Sequence, residues 1–435
     1  MSSTIALIAK QAKQASNKLV TIDTKTKNKV LLAIRNALIA NQEKILEENA
    51  KDLKEALVLL EKKELKSSVY NRLKLNENKL QDMIHEIEGV IMLEDPVGKV
   101  LIERELDEDL ILKKITVPIG VIGVIFEARP DVITQISALA IKSGNAVILK
   151  GGKEATNTNR ILLGILNSAL KAFPEFPDGV LNQVYTHADV EEMLKADEDI
   201  DLIIPRGSNH LVKYIKSNTN IPVLGHADGI CHIYIDETAS LEIAKAVVVD
   251  AKCQYPAACN AVETLLINDK FKWTVDLLAH LKNNGIELIE KPTTYAYEYG
   301  EKKLALRTVI STEEAIFHIN KFGSHHTDCI ISRDETNIAK FMNEVDSAGV
   351  YANVSTRFAD GYRYGFGAEV GISTNKTHAR GPVGVEGLTI YKYTLEGKGQ
   401  IVADYASGKK SFHHKDLIWY ENWCSWSWAN WRLNI

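Results

Sequence analysis

One feature constrains this chain more than any other. The run Pro118-Ile119-Gly120-Val121-Ile122-Gly123-Val124-Ile125-Phe126 is continuously apolar and bounded by turn signals. A strand exposed on one face would alternate polar and apolar residues, so an unbroken run reads as a strand covered on both faces. The same grammar then repeats. A helix is expected from about Ile133 to Lys142, a strand over Ala146-Val147-Ile148-Leu149, and a helix from about Thr156 to Lys171. A strand near Val180 to Tyr185, a short helix and the strand Asp201-Leu202-Ile203-Ile204 follow. Buried strands alternating with helices at this spacing build an open parallel α/β sheet.

The chain is too long for one core of that kind. At 435 residues it should divide into two or three domains. Residues 230–352 repeat the α/β style and read as a second domain. The first 90 residues read as helices, with apolar positions at Val30, Leu31, Ile34, Leu38 and Ile45. Leu110 to Val117 alternates, as a strand or hairpin arm does. Residues 361–387 are Gly-rich but also carry Arg, Glu and His, so they read as a segment lining a site.

Several classes are disfavoured at once. A formal net charge of −5 supplies no field toward nucleic acid or anionic membrane, although local Arg and Lys can still hold a small anion. The apolar run near the N-terminus is too short for a signal segment, no stretch approaches 18 apolar residues, and the expected address is the cytosol. Cysteines 231, 253, 259, 329 and 424 are odd in number and widely spaced, which argues against disulfides; no Cys/His spacing suits zinc, so no metal is expected. Trp419, Trp423, Trp426, Trp428 and Trp431 crowd the last residues. They read as a divergent chain end, the alternative being a partner- or membrane-interface helix.

Ligands of parallel sheets sit at the carboxyl ends of strands. Three such ends carry useful groups: Phe126-Glu127-Ala128-Arg129-Pro130, Lys150-Gly151-Gly152-Lys153 and Pro205-Arg206-Gly207-Ser208. Glycines let backbone approach a ligand, ammonium groups suit phosphate, and a turn opening a helix offers amides. The usual dinucleotide fingerprint is absent, and taken alone Lys-Gly-Gly-Lys reads first as a solvated turn. Cys259 lies in Gln254-Tyr255-Pro256-Ala257-Ala258-Cys259-Asn260-Ala261. Little side-chain bulk surrounds it, so it reads either as a reachable thiolate or as an ordinary buried thiol.

Taken together these stretches resemble the γ-glutamyl phosphate reductases, a branch of the aldehyde dehydrogenase superfamily. The most specific is V-I-S-T-E-E-A-I-F-H-I-N-K-F-G-S-H-H-T-D-C-I from Val309, in which Phe322 alone departs from the family pattern. V-I-F-E-A-R-P-D-V from Val124, L-K-G-G-K-E-A from Leu149, I-P-R-G-S from Ile204 and G-H-A-D-G-I-C-H-I-Y from Gly225 also fit. So do S-T-R-F-A-D-G-Y-R-Y-G-F-G-A-E-V-G-I-S-T from Ser355 and H-A-R-G-P-V-G from His378.

The resemblance implies an aldehyde dehydrogenase-like α/β fold. Its cofactor domain would span 1–103, 116–229 and 365–387, and its catalytic domain 230–364. An oligomerisation hairpin would span 104–115 and 388–412, leaving 413–435 as an atypical tail. It implies Cys259 as nucleophile and Arg129 where hydrolytic relatives carry an oxyanion-stabilising asparagine. Lys150, Lys153, Gly207 and Ser208 fall at the cofactor, and a cation at 153 suits the 2′-phosphate of NADPH. His226 stands where hydrolytic relatives keep a general-base glutamate, as expected of an enzyme that must shield its thioester from water.

The implied reaction is NADPH-dependent reduction of L-glutamyl 5-phosphate to L-glutamate 5-semialdehyde, in L-proline synthesis. Arg357, Arg363 and Arg380 join Arg129 as candidates for the substrate's anionic groups. The resemblance also implies a homo-oligomer of two or more chains and glutamate 5-kinase as a partner. A hydrolytic dehydrogenase and an impaired, non-catalytic binding relative are the alternatives. One departure concerns 288–309, where the family's strand is replaced by Tyr297-Glu298-Tyr299-Gly300-Glu301-Lys302-Lys303-Leu304. Glu298 and Glu301 are the possible stand-ins there for the carboxylate that holds the nicotinamide ribose.

Overall fold

The computed structural model describes residues 4–225 and 228–418. These fall into two compact units, one of described residues within 4–94 and 119–388, the other of residues 95–118 and 389–418.

The first unit opens with five helices: α1 (Thr4–Leu19), α2 (Thr24–Ala40), α3 (Gln42–Glu61), α4 (Ser67–Leu73) and α5 (Glu77–Met92). Asp23 caps α2 and Asn76 caps α5 through their side chains, each satisfying an amide the first turn leaves unpaired. Two strands of the second unit follow, β1 (Val100–Asp107) and β2 (Leu110–Pro118). The chain then enters the first parallel sheet: β3 (Val121–Phe126), α6 (Asp131–Ser143), β4 (Ala146–Lys150), α7 (Thr156–Leu170), β5 (Leu181–Val184), α8 (His187–Met193), β6 (Leu202–Arg206) and α9 (Asn209–Ser217). The strand order is β5-β4-β3-β6, parallel throughout. Every residue of β3 is buried, as a strand covered on both faces requires.

The apolar run from Pro118 to Phe126 is not one strand. It splits at Gly120, where Pro118 ends β2 in one unit and Val121 begins β3 in the other. Gly120 has φ +131°, its N–H donates to Asn145 Oδ1, and an added Cβ would overlap the Asp201 carboxylate. Only glycine turns the chain there without strain. Hydrophobicity does not change across the junction, so pattern alone does not reveal it.

The second sheet is larger. It comprises β7 (Cys231–Ile235), α10 (Leu241–Cys253), β8 (Val262–Asn268), α11 (Thr274–Asn283), β9 (Glu287–Ile289), β10 (Lys303–Val309), α12 (Thr312–Phe322), β11 (Thr327–Ile331), α13 (Glu335–Glu344) and β12 (Gly349–Ala352). The order β12-β11-β7-β8-β10-β9 is parallel throughout. Residues 361–387 are largely irregular, with one short antiparallel pair, β13 (Ile372–Ser373) and β14 (Gly381–Pro382).

In the second unit, β15 (Thr389–Glu396), β2, β1 and β16 (Lys415–Asp416) form an antiparallel sheet, and a short helix α14 (Val402–Ala406) lies between β15 and β16. Ile390, Tyr391, Tyr393 and Leu395 stand exposed along β15. No helix among the described residues is long and apolar enough to cross a membrane. His226 and the tryptophans from Trp419 to Trp431 lie outside the described residues.

Candidate active site

A cleft of about 1220 Å³ lies within the first unit. The first sheet reaches it with strand carboxyl ends: Glu127 and Arg129 after β3, Lys150, Gly152, Lys153 and Glu154 after β4, and Arg206, Gly207 and Ser208 at the end of β6. The second sheet reaches it from the opposite end. Gly229 precedes β7, Cys259 precedes β8 and Glu298 precedes β10. Arg357, Asp360 and Glu369 complete the wall near Cys259.

The thiol side is built by packing. Cys259 sits on tight turns between α10 and β8, with Ala258 N–H donating to Tyr255 O and Ala261 N–H to Ala258 O. The Cys231 thiol donates to the Cys259 carbonyl at 3.4 Å. Burial pushes the Cys231 pKa well up, so this second sulfur stays a thiol. Asn260 Nδ2 donates to Ala359 O at 2.7 Å and Thr356 Oγ1 donates to Asn260 O at 2.6 Å. Arg357 Nε donates to Gln254 Oε1 at 2.9 Å, and its guanidinium lies 5.9 Å from the Tyr255 ring centre. Both ends of the cysteine loop are thereby fastened to residues 356–359.

Gly229 faces this loop so closely that an added Cβ would lie 2.5 Å from Cys259 Cα and overlap its carbonyl. Its N–H donates to Glu298 Oε2 at 3.1 Å. Behind the loop, Lys252 Nζ and Glu263 Oε2 form a fully buried ion pair at 2.8 Å. Glu263 also accepts from Tyr299 N–H at 3.2 Å and Gly300 N–H at 3.4 Å. Burial pushes Glu263 up to about 7 and Lys252 down, so each needs the other to stay charged. The pair anchors the segment that carries Glu298.

The opposite wall is built by charge. Lys150 is half-buried, and burial lowers its pKa against the pull of Glu154 and Glu127. Glu154 accepts from Ala128 N–H at 2.9 Å. Ser208 caps α9 through its hydroxyl, and its own N–H donates to Glu127 Oε2 at 2.8 Å. A carboxylate therefore holds the helix N-terminus whose amides the sequence offered to a ligand. Glu369 accepts from Gly361 N–H at 2.7 Å, and burial raises its pKa against the charge of Arg206.

Over residues 2–284 the chain matches the family model described as the aldehyde dehydrogenase family. A curated relative from Brachyspira hyodysenteriae named gamma-glutamyl phosphate reductase is 55% identical over 426 residues, covering 94% of this chain and 99% of the relative. The chain belongs to the γ-glutamyl phosphate reductase branch of the aldehyde dehydrogenase family. The crystal structure of gamma-glutamyl phosphate reductase from Thermotoga maritima superposes with a TM-score of 0.87 at 36% identity, covering 92% of this chain and all of that one. An acetylating aldehyde dehydrogenase from Geobacillus thermoglucosidasius shares the fold, with a TM-score of 0.67 at 17% identity over 91% of this chain and 97% of that one.

Within this reductase branch the candidate residues fall unequally. Cys259, Arg129, Lys150, Lys153, Gly207, Ser208 and Arg357 all line the one cleft. Arg363 and Arg380 are not among its lining residues. Arg363 Nη1 donates to the Arg357 carbonyl at 2.8 Å and lies 3.5 Å from Asp360. Arg380 pairs with Asp346 at 3.0 Å. Of the two glutamates before β10, Glu298 lines the cleft, whereas Glu301 is exposed and pairs with Lys303 at 3.0 Å. Arg206, Glu127 and Glu369 were not singled out from sequence. The one available signal was the position of Arg206 at a strand end, beside the Gly-Ser that drew attention instead.

Proposed function

We propose that this chain is a cytosolic enzyme that reduces L-glutamyl 5-phosphate to L-glutamate 5-semialdehyde with NADPH, releasing phosphate, in L-proline biosynthesis. One observation carries the reading: a half-exposed thiol shares its cleft with guanidinium and ammonium groups, in a chain 55% identical to a named γ-glutamyl phosphate reductase.

The residues present fit a phosphorylated dinucleotide. Lys150 and Lys153 stand at the end of β4, and the cleft exceeds the roughly 300–1,000 Å³ of small-molecule sites. Lys150 would face the adenosine ribose and Lys153 its 2′-phosphate, with Gly207 and Ser208 at the pyrophosphate and Glu298 on the nicotinamide side. When bound, such a cofactor supplies the hydride.

The chain's own residues do the rest. The Cys259 thiolate forms a bond to the acyl carbon, and the carbon–oxygen bond to phosphate breaks with its electrons leaving on oxygen. Arg129 offers donors to the oxygen on which charge develops. The loop fastened at Gln254 and Asn260 holds the sulfur in line, and after reduction the thiohemiacetal on Cys259 collapses to the aldehyde. The exposed apolar row on β15 supports association into a dimer or larger assembly. Glutamate 5-kinase, which makes the unstable acyl phosphate, is the proposed partner.

The test is oxidation of semialdehyde followed by NADPH absorbance. Wild type should turn over with NADP and inorganic phosphate, and not without phosphate; Cys259→Ala should lose about three orders of magnitude or more. Turnover by Cys259→Ala, or phosphate-independent oxidation by wild type, would refute the reading. The latter outcome would point to a hydrolytic dehydrogenase.

A further inference from the structure

We propose that Arg206, acting with Arg129, is the residue that receives the phosphoryl group of the acyl phosphate, and that Gly371 is glycine so that the Arg206 guanidinium can lie there. The proposal rests on the acyl-phosphate reading above and names the subsite that reading leaves open.

The four arginines that the sequence offered for the substrate's anionic groups differ in their engagements. Arg357 is committed to Gln254, Arg363 to the Arg357 carbonyl and Arg380 to Asp346. The guanidinium of Arg206 makes no hydrogen bond, and no ion pair within 4 Å, to any described residue, and neither does that of Arg129. Both line the cleft with Cys259. Arg206 feels the charge of Arg129 and charge at the thiol.

This arrangement is unfavourable by itself. Burial lowers the Arg206 pKa first and Arg129 lowers it further. Glu369 and Asp131 are the opposing charges it feels most. The Glu369 carboxylate, however, accepts from Gly361 N–H and makes no ion pair within 4 Å with Arg206. Two forked cations without bound partners are a receptor for a multiply charged oxyanion such as phosphate.

Position selects phosphate over the substrate's α-carboxylate. In the acyl phosphate, the phosphoryl group is one oxygen from the carbon that sulfur attacks. The α-carboxylate is at the other end of a five-carbon chain. The Arg206 guanidinium, which senses Cys259, therefore meets the phosphoryl end. When the carbon–oxygen bond breaks, the electron pair moves onto the phosphate oxygen between them, where their charge counts most.

Gly371 fits the same picture. Its φ is +137°, and an added Cβ would lie 2.7 Å from Arg206 Nη1 and 3.2 Å from Cδ. Any other residue would be strained and would push the guanidinium off.

The experiment is semialdehyde oxidation by the full-length enzyme with inorganic phosphate varied at saturating NADP. Arg206→Gln should raise the KM for phosphate about tenfold or more while moving the KM for NADP less than about twofold. Arg206→Lys, which keeps charge but loses the fork, should lie between. A turnover-free readout accompanies it. Phosphate should slow iodoacetamide labelling of Cys259, followed by peptide mass spectrometry, in wild type and not in Arg206→Gln. Wild-type phosphate KM and wild-type protection in either folded variant overturn the proposal. Should Arg206→Gln not fold, Arg206→Lys decides alone. Failure of wild type to require phosphate would instead overturn the parent reading, so the two failures are distinguishable.

Discussion

The two walls of the cleft are made by different physics. The first sheet presents strand carboxyl ends with Lys150, Lys153, Arg129 and Arg206, groups that act by charge and by reach. The second presents amino-end loops in which Cys259 is fixed by short hydrogen bonds, a close glycine and a buried ion pair. A charged wall can adapt its long side chains to a ligand. A packed wall cannot, and a nucleophile needs that rigidity because small displacements from the reacting line are costly. Substitutions should therefore behave differently on the two sides: sharp and geometric near Cys259, graded and salt-sensitive near Lys153.

The largest expected effect tests the packed wall. Gly229→Ala should drive Cys259 out of position and lower kcat/KM by about 100-fold or more, because the added methyl overlaps the Cys259 backbone. Steady-state kinetics with a melting control checks this, and near-normal turnover would show the loop to be plastic. Next, Lys252→Met should cost about 3–5 kcal/mol of stability by leaving Glu263 buried without its cation. Denaturant unfolding measures it, and the double change with Glu263→Leu should recover much of the loss. A third substitution tests the charged wall. Lys153→Glu should shift preference from NADPH toward NADH by about tenfold or more with little loss of fold, since one attraction becomes a repulsion. An unchanged cofactor ratio would remove Lys153 from the site.

The smallest effect concerns a carboxylate behind that wall. Glu86 on α5 is pushed up to about 7 by burial, with Asp131 and Asp82 adding to the shift. Its folded pKa lies above the ordinary value of 4.5, so the folded state holds the proton more tightly. Stability from this group is present below pH 4.5 and is lost as pH rises through about 7. Glu86→Gln should leave stability at acid pH nearly unchanged and raise it by about 1–3 kcal/mol at pH 8. Unfolding at both pH values checks the sign.

Much of the fold was legible in the chain. Unbroken apolar runs such as Ala146–Leu149 announce strands buried on both faces, and residues 131–143 and 156–170 formed the helices their periodicity required. The break at Gly120 was not legible, since both sides of it are apolar and its cause is a contact with Asp201, 81 residues downstream. Cys259 illustrates the same limit within the site. Its own neighbours left packing and catalysis equally open, and it was the set of motifs around it that tipped the balance.

The sequence by itself determined the parallel α/β architecture, the family, and the strand-end segments that line the cleft. Those properties are written in local periodicity and in short motifs. Only the tertiary structure decided which charges are committed and which are open. Arg380 and Arg363 look from sequence like anion receptors, yet Asp346, Asp360 and a carbonyl engage them. Arg206 looked like a turn residue, yet its guanidinium shares the cleft with Arg129 and Cys259 and has no bonded partner among the described residues. Whether a guanidinium is available depends on what lies within a few ångströms of it, and only the folded chain settles that.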